Sequence, residues 1–303
     1  MTEKKPQFSY EQSLKSLDTE EFIDLKFYRP LGYRWALFFN KVGATPNFVS
    51  VLSIFLGVAA GVLFYFSNIW LNILGMLLLV WANTYDSADG QLARLTKNFS
   101  KIGRILDGAC GDIWFITIYI AVCLRLYPTW GMYIWLLAAF AGFWHSKQAS
   151  LADYYRNFHL FFVKGKNGSE LDDSESVEKE YKSCKFSNDP LFKIFMWFYK
   201  GYTKKQESVT PQMQLFRKCI KTKYNEQVPS ALAEEFRLQS KPLMKYTNML
   251  SFNTRVIALF ISLLIDMPWL YFVFEIVVLN IMLFYMVIKH ERICRYFYTK
   301  CGA

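Results

Sequence analysis

Residues 86–112 read DSADGQLARLTKNFSKIGRILDGACGD and lie between two strongly apolar segments, WLNILGMLLLVWANTY before them and IWFITIYIAV after them. Carboxylates are energetically unfavourable near hydrocarbon, so ionisable groups in membrane helices indicate a functional site. One helix face carries, at i, i+3, i+4 and i+7, the residues Asp86, Asp89, Gly90 and Ala93. A polar turn at 96–100 follows, and the next acid is Asp107. The pattern predicts two helix ends with facing carboxylates, which are typical ligands of Mg2+ or Mn2+.

The same stretch resembles the signature of the CDP-alcohol phosphotransferases, the family that includes the phosphatidyltransferases. The resemblance rests on the run Asp86-x-x-Asp89-Gly90-x-x-Ala93-Arg94, followed after eight residues by Gly103 and after three more by Asp107. In this family these residue types recur at fixed offsets within membrane helices.

One position departs from the family pattern. The family's fourth aspartate lies four residues after the third, whereas position 111 here is Gly111 and the acid is Asp112. Five residues turn a regular α-helix by about 140°, which directs Asp112 away from the other acids. Gly108 and Gly111 make a local distortion easy, so we expect a one-residue π-bulge that turns Asp112 back toward the site.

The resemblance implies a displacement at phosphorus. A hydroxyl attacks the phosphorus next to the lipid in a CDP-linked lipid, and CMP departs. Two Mg2+ or Mn2+ ions are implied as cofactors that neutralise the diphosphate. The implied metal ligands are Asp86, Asp89, Asp107 and Asp112, and Asp112 is also the expected general base. The implied CDP-binding residues are Asp86, Asp89, Gly90, Ala93, Arg94 and Gly103.

Basic side chains at the ends of later apolar segments form the expected acceptor site. They are His145, Lys147, Arg156, Arg255 and Arg292. The phosphatidylinositol-phosphate synthases of the family carry basic residues at similar helix ends, where they bind the acceptor's phosphate, and Arg156 and Arg255 match these best. The alternative is that such charges only flank membrane helices, an interpretation that we favour for residues 289–295. Arg255 lies in an otherwise apolar segment, which favours a functional role.

The predicted fold is an all-α integral membrane protein. The chain has 303 residues, of which 53% are hydrophobic and 18% aromatic, and its polar start does not resemble a signal peptide. About six segments are long and apolar enough to span a membrane, namely 47–67, 69–94, 102–126, 129–158, 249–266 and 269–289. The aromatic and basic residues of 27–42 predict an interfacial amphipathic helix before them.

Four parts follow from this pattern in chain order. They are an N-terminal arm with its juxtamembrane helix at 1–46, four membrane helices with the aspartate motif at 47–163, a cytoplasmic insertion at 164–246, and two membrane helices with a basic tail at 247–303.

The net charge of +10 suits a protein that lies against anionic lipid headgroups, and the apolar segments make nucleic-acid binding a poor alternative. Lysine and arginine concentrate in the arm, the turn at 96–100, the insertion and the tail, so both termini and the aspartates are expected on the cytoplasmic side. A bacterial inner membrane is the expected location. The six cysteines form no C-x-x-C pair, and we expect them to be reduced.

The resemblance thus predicts a phospholipid-synthesis enzyme, a homodimer like its relatives, that transfers the phosphatidyl group of CDP-diacylglycerol to inositol phosphate or inositol. Glycerol phosphate and serine remain open as acceptors. A second interpretation is a CDP-choline or CDP-ethanolamine phosphotransferase that acts on a lipid hydroxyl. A third is a membrane transporter or scaffold without catalysis, although transporters usually carry repeated halves with midplane charges, and no repeat is found here.

Overall fold

The computed structural model describes residues 10–14, 16–184 and 190–302, apart from the side chains of Gln12, Lys101, Ile102, Arg104, Asp107, Asn167 and Leu191. The regular elements in this part of the chain are all helical, which confirms the predicted fold class. The α-helices are α1 Arg29–Lys41, α2 Pro46–Leu63, α3 Ile69–Thr96, α4 Lys101–Trp130, α5 Tyr133–Lys164, α6 Ser174–Ser183, α7 Pro190–Ser208, α8 Pro211–Tyr224, α9 Ser230–Ser240, α10 Met244–Met249, α11 Phe252–Leu264 and α12 Trp269–Gly302.

A helix forms at each of the six predicted apolar segments, and these helices make the chain an integral membrane protein. Four stretches within the described residues are long and apolar enough to cross a membrane, namely Pro46–Leu63, Gly108–Trp130, Ser230–Leu264 and Trp269–Gly302. The helices α3 and α5, with 28 and 32 residues, are longer than a bilayer requires. Both also contain polar and charged side chains, and neither is among these four stretches. A count of six spans therefore stays a prediction.

The predicted turn between the two aspartate helices is present and well capped. Lys97, with φ of 53°, ends α3 in the left-handed conformation. The hydroxyl of Ser100 accepts a hydrogen bond of 2.8 Å from the backbone N–H of Gly103 and so begins α4. At the start of α2, Thr45 accepts in the same way from the N–H of Phe48, and Pro46 occupies the first turn.

The chain folds into two compact units. The first comprises Met1–Ala139 and Val256–Phe272, and the second comprises Phe140–Arg255 and Val273–Ala303. The four-part division by sequence follows chain order and stays a prediction.

Small residues set the packing of the first unit. A methyl group added at Gly57 of α2 would lie 2.1 Å from the ring of Trp114 of α4, and one added at Gly61 would lie 2.8 Å from Thr117. Such small residues let helices approach closely in a membrane protein. At the end of α4 away from the aspartates, Arg125 donates a hydrogen bond of 2.6 Å to the carboxylate of Asp266.

Aromatic rings fill the core of the second unit. The stacked and edge-on rings belong to Phe158, Phe162, Phe216, Phe236 and Phe297. A disulfide joins Cys219 of α8 to Cys301 at the end of α12, with a Cα–Cα distance of 6.5 Å. The expectation that all six cysteines are reduced is therefore wrong for this pair. Its members are 82 residues apart in sequence, so only the tertiary fold brings them together.

Candidate active site

The α3 part of the site centres on Asp89, which is only 3% exposed. The hydroxyl of Ser50 in α2 donates a hydrogen bond to a carboxylate oxygen of Asp89. Asp86 lies one helical turn before Asp89 and is half-buried. Since a buried carboxylate requires hydrogen-bonding partners, Ser50 stabilises Asp89 in this position. These two aspartates are the two acids of the predicted helix face.

The α4 part of the site lies on the stripe of that helix that faces α2. A methyl group added at Gly103 would come within 2.8 Å of the side-chain oxygen of Asn47, and the sulfur of Cys110 lies 3.7 Å from the hydroxyl of Ser53. Position 107 falls between these two contacts, at four and three residues from them, and so belongs to the same stripe. The side chain of Asp107 is outside the described part, so its proximity to Asp86 and Asp89 stays a prediction.

The predicted π-bulge is absent. The α4 helix is a continuous α-helix from Lys101 to Trp130, and it includes the backbone of residues 107–112. The uninterrupted ladder satisfies each backbone amide in apolar surroundings, which a bulge would disturb without compensation. Position 112 therefore lies about 140° around the helix from position 107, and Asp112 is exposed.

The two glycines have a different effect from the one expected. On a regular helix, Gly111 and Gly108 lie about 40° and 100° around from position 107, between it and position 112. A methyl group added at either glycine would meet no atom of the described residues within 4 Å. Positions 108 and 111 therefore add no side chain of their own between the two acidic positions.

Arg94 supports the site from the side of the N-terminal arm. Its Nε donates a hydrogen bond of 2.6 Å to the backbone oxygen of Ser13, and its guanidinium lies 3.4 Å from a methyl group added at Gly90. Nearby, the side-chain amide of Gln91 donates to the backbone oxygen of Arg29 at 3.1 Å. These bonds attach the arm to α3, while the half-buried Ala93 adds no polar atom.

The donor set suits a hard divalent cation. Asp86 and Asp89 supply two carboxylates one turn apart on α3, and Mg2+ or Mn2+ prefer such oxygen ligands. Among the side chains that the structure describes, no three His, Cys, Asp or Glu residues form a metal-binding group. The side chain of Asp107 is not among them, so the full ligand set stays a prediction.

In the second unit, the predicted acceptor residue Arg255 is buried, at 1% exposure, in a polar network. Its guanidinium pairs with Glu275, which is 0% exposed, and donates a hydrogen bond of 2.9 Å to the side-chain oxygen of Gln148. It also donates to the backbone oxygen of Leu250 at 3.1 and 3.2 Å. His145 lies 3.4 Å from the other oxygen of Glu275. These partners occupy four of the five guanidinium N–H groups.

The described contacts of the remaining predicted acceptor residues are with uncharged partners. Arg156 is half-buried and donates to the hydroxyl of Ser251 at 2.6 Å and to the side-chain oxygen of Asn248 at 3.4 Å. The ammonium of Lys147 lies 5.8 Å from the ring of Phe143. Arg292 is exposed on α12. Arg156 thus keeps a guanidinium that no carboxylate neutralises among the bonds described.

Two residues of these clusters were missed in the sequence. Glu275 is a lone acid in the apolar run of α12, and such a residue indicates a functional site for the same reason as Arg255 does. Ser50 carries no comparable signal, because a serine in an apolar helix usually bonds to its own backbone.

One part of the chain is similar to a known protein family. Residues 44–154 match the profile of the family described as CDP-alcohol phosphatidyltransferase. The matched range contains all of α2, α3 and α4, with the four aspartates of the motif.

Curated proteins with similarity to the chain are known in bacteria. This chain is 32% identical over 98 residues to the bifunctional IPC transferase and DIPP synthase of Aquifex aeolicus, a match that covers 32% of this chain and 22% of that protein. It is 32% identical over 100 residues to a candidate cardiolipin synthase of Mycobacterium tuberculosis, covering 32% of this chain and 46% of that protein. The chain thus spans less than half the length of these relatives. No solved structure matches it.

Proposed function

We propose, from the match of residues 44–154 to the CDP-alcohol phosphatidyltransferase family, that this chain is a membrane transferase of that family. It moves the phosphatidyl group of a CDP-lipid such as CDP-diacylglycerol to the hydroxyl of a small polar alcohol and releases CMP. The observation that carries the proposal is the buried Asp89 carboxylate, which Ser50 holds at the polar end of an otherwise apolar helix. A buried carboxylate in this position has a chemical task rather than a stabilising one.

The protein's own groups bind and orient the diphosphate. The proposed divalent-cation ligands are Asp86, Asp89 and Asp107, and members of this family generally depend on such ions. Asp112, expected as a fourth ligand, is left out of this set because the regular α4 places it about 140° around the helix from position 107. When bound, the ions supply positive charge that neutralises the diphosphate. Gly90 and Ala93 have no long side chain of their own, and with Gly103 they are the proposed contacts of the cytidine. Arg94 holds the N-terminal arm against α3 through its hydrogen bond to Ser13.

The transfer itself is a substitution at the phosphorus that carries the lipid. The acceptor oxygen forms a bond to this phosphorus, the bond from the phosphorus to the bridging oxygen breaks, and CMP departs with that oxygen. The hydroxyl proton passes to a carboxylate. We retain Asp112 as the proposed base, because its side chain is exposed and Gly108 and Gly111 place no side chain between it and position 107.

We assign the acceptor's phosphate to Arg156 rather than to Arg255. The guanidinium of Arg255 already serves Glu275, Gln148 and Leu250, so it holds helices together. The described hydrogen bonds of Arg156 go to neutral partners only. The paired N–H groups of its planar guanidinium suit a phosphate. His145, Lys147 and Arg292 remain proposed secondary contacts. Inositol phosphate or inositol is the proposed acceptor, and the cytoplasmic position of both termini and the homodimer are proposals as well.

A substrate panel tests this function. The purified protein is supplied with CDP-diacylglycerol and, separately, inositol phosphate, inositol, glycerol phosphate or serine, and CMP release and the lipid product are measured. We expect CMP release that depends on one of these acceptors. Release only with CDP-choline or CDP-ethanolamine and diacylglycerol would identify the other branch of the family. No release with any pair would contradict the proposal.

A further inference from the structure

An exposed stripe on α7, in the second unit, has no role in the transfer reaction. Its members recur at i, i+3 and i+4 and are Ile194, Trp197 and Phe198, with exposures of 46%, 58% and 64%. The stripe continues at Gly201, where an added methyl group would meet no atom within 4 Å, to the exposed Lys204 and Lys205. The opposite face of α7 is buried through Phe192, Met196, Thr203 and Gln206. One face of α7 is therefore buried in the protein, and the opposite face, which is apolar, is exposed.

One hydrogen bond defines the depth of α7 along α5. The side-chain amide of Gln206 donates to the backbone oxygen of Ser150 at 2.8 Å. Ser150 is 17 residues after the first residue of α5, which corresponds to about 26 Å of helix. That length is close to the hydrocarbon thickness of about 30 Å. With α5 as the predicted fourth span, the C-terminal end of α7 thus lies where α5 reaches a membrane surface.

The following helix gives an independent measure. The carboxylate of Glu291 in α12 accepts hydrogen bonds of 2.7 and 3.3 Å from the backbone N–H groups of Gln212 and Met213, at the start of α8. Glu291 is 22 residues after the first residue of α12, about 33 Å along that helix. Both attachments therefore place the junction of α7 and α8 at the polar boundary of the bilayer.

From this depth, the uncovered apolar stripe and the adjacent lysines, we propose that α7 is an interfacial helix that inserts Ile194, Trp197 and Phe198 into an anionic lipid leaflet. Tryptophan and phenylalanine are the side chains that such helices place at the headgroup boundary. Lys204 and Lys205 lie at the end of the same stripe, where anionic headgroups attract them. The inference does not depend on the transfer reaction, so either can fail without the other.

Depth-dependent fluorescence quenching tests the proposal on the whole protein. Trp197→Cys is introduced with Cys110, Cys123, Cys184 and Cys294 replaced by serine, labelled with bimane, and reconstituted in vesicles of equal parts phosphatidylcholine and phosphatidylglycerol. The matched control is Lys179→Cys on α6, whose side chain is 74% exposed. We expect doxyl-lipid to quench the label at 197 and iodide to quench the label at 179. Vesicles of phosphatidylcholine alone, or Lys204→Glu with Lys205→Glu, should lower the doxyl quenching at 197.

Other outcomes overturn the proposal. Iodide quenching at 197 as strong as at 179 would mean that the stripe faces water. Protection of 197 from both quenchers would mean that a protein surface covers it. If the cysteine-replaced protein does not fold, quenching of intrinsic fluorescence by brominated phosphatidylglycerol is compared between the wild type and Trp197→Phe. Equal quenching of these two proteins would also overturn the proposal.

Discussion

Arg255 of α11 and Glu275 of α12 form an ion pair in which the two side chains are 1% and 0% exposed to solvent. A buried pair is strongly destabilising when one partner alone is removed, because the other charge is left without compensation. Gln148 completes the pair by a hydrogen bond of 2.9 Å to Arg255. The relationship explains why an arginine persists in an apolar helix without assigning it to a substrate.

Replacement of one partner of this pair should therefore destabilise the protein. Arg255→Leu or Glu275→Leu alone should each lower the free energy of unfolding by about 3–5 kcal/mol, and the double variant should recover most of that loss. The measurement is thermal unfolding in detergent. Lys179→Met, which breaks an exposed pair with Glu175, is the control and should leave the midpoint unchanged. Wild-type stability in both single variants would show that the pair has no structural role.

Arg156 should affect the acceptor and not the donor. A hydrogen bond to a charged group is worth about 1.5–3 kcal/mol, so Arg156→Ala should raise the KM for a phosphorylated acceptor about tenfold to a hundredfold. The KM for the CDP-lipid should change little. Arg295→Ala removes an exposed arginine of α12 and serves as the control. Equal effects of Arg156→Ala on both KM values, or on unphosphorylated inositol, would reject the phosphate contact.

Ser50 should matter through Asp89. Removal of a hydrogen bond that orients a metal-binding carboxylate typically lowers activity or metal affinity about tenfold to a hundredfold, and we expect this of Ser50→Ala. Its hydroxyl bonds to the Asp89 carboxylate, whereas Ser53, one turn later, bonds to the backbone of α2 at 2.7 Å. Ser53→Ala is therefore the matched control. The apparent affinity for Mn2+, measured by activity titration, should weaken in Ser50→Ala alone, and identical titrations of the two variants would contradict the role of Ser50.

The sector of α4 between positions 107 and 112 gives a further prediction. Asp112→Asn should abolish transfer and leave CDP-lipid binding intact, because a base acts on the acceptor's proton only. Gly111→Leu should instead raise the KM for the acceptor and leave CDP-lipid binding intact, since the larger side chain enters the sector between positions 107 and 112. Gly111→Ala, which adds one methyl group, is the control. Full transfer by Asp112→Asn would move the base elsewhere, with Asp107 and Asp153 as the next candidates.

Much of the fold and the outline of the site could be predicted from sequence. The apolar segments give the helices, and the offsets from Asp86 to Asp107 give the acidic faces, because both depend on local periodicity. The regular course of α4 could not be predicted, since the glycines that permit a bulge also permit a regular helix. The Arg255–Glu275 pair, the Ser50–Asp89 bond and the Cys219–Cys301 disulfide connect distant segments, and one sequence carries no local signal for such contacts.

The most direct test of the central claim is CMP release from CDP-diacylglycerol by purified wild-type protein, Asp89→Asn and Glu175→Gln, each with Mg2+ and with excess chelator. Glu175 is an exposed acid on α6 and controls for the loss of one negative charge. Because a metal ligand matters more than the residues that orient it, Asp89→Asn should lose more than about 100-fold in turnover, while Glu175→Gln keeps the wild-type rate. Chelator should abolish release in every protein. Equal turnover by Asp89→Asn and Glu175→Gln, or wild-type release that persists in excess chelator, would contradict the proposed site.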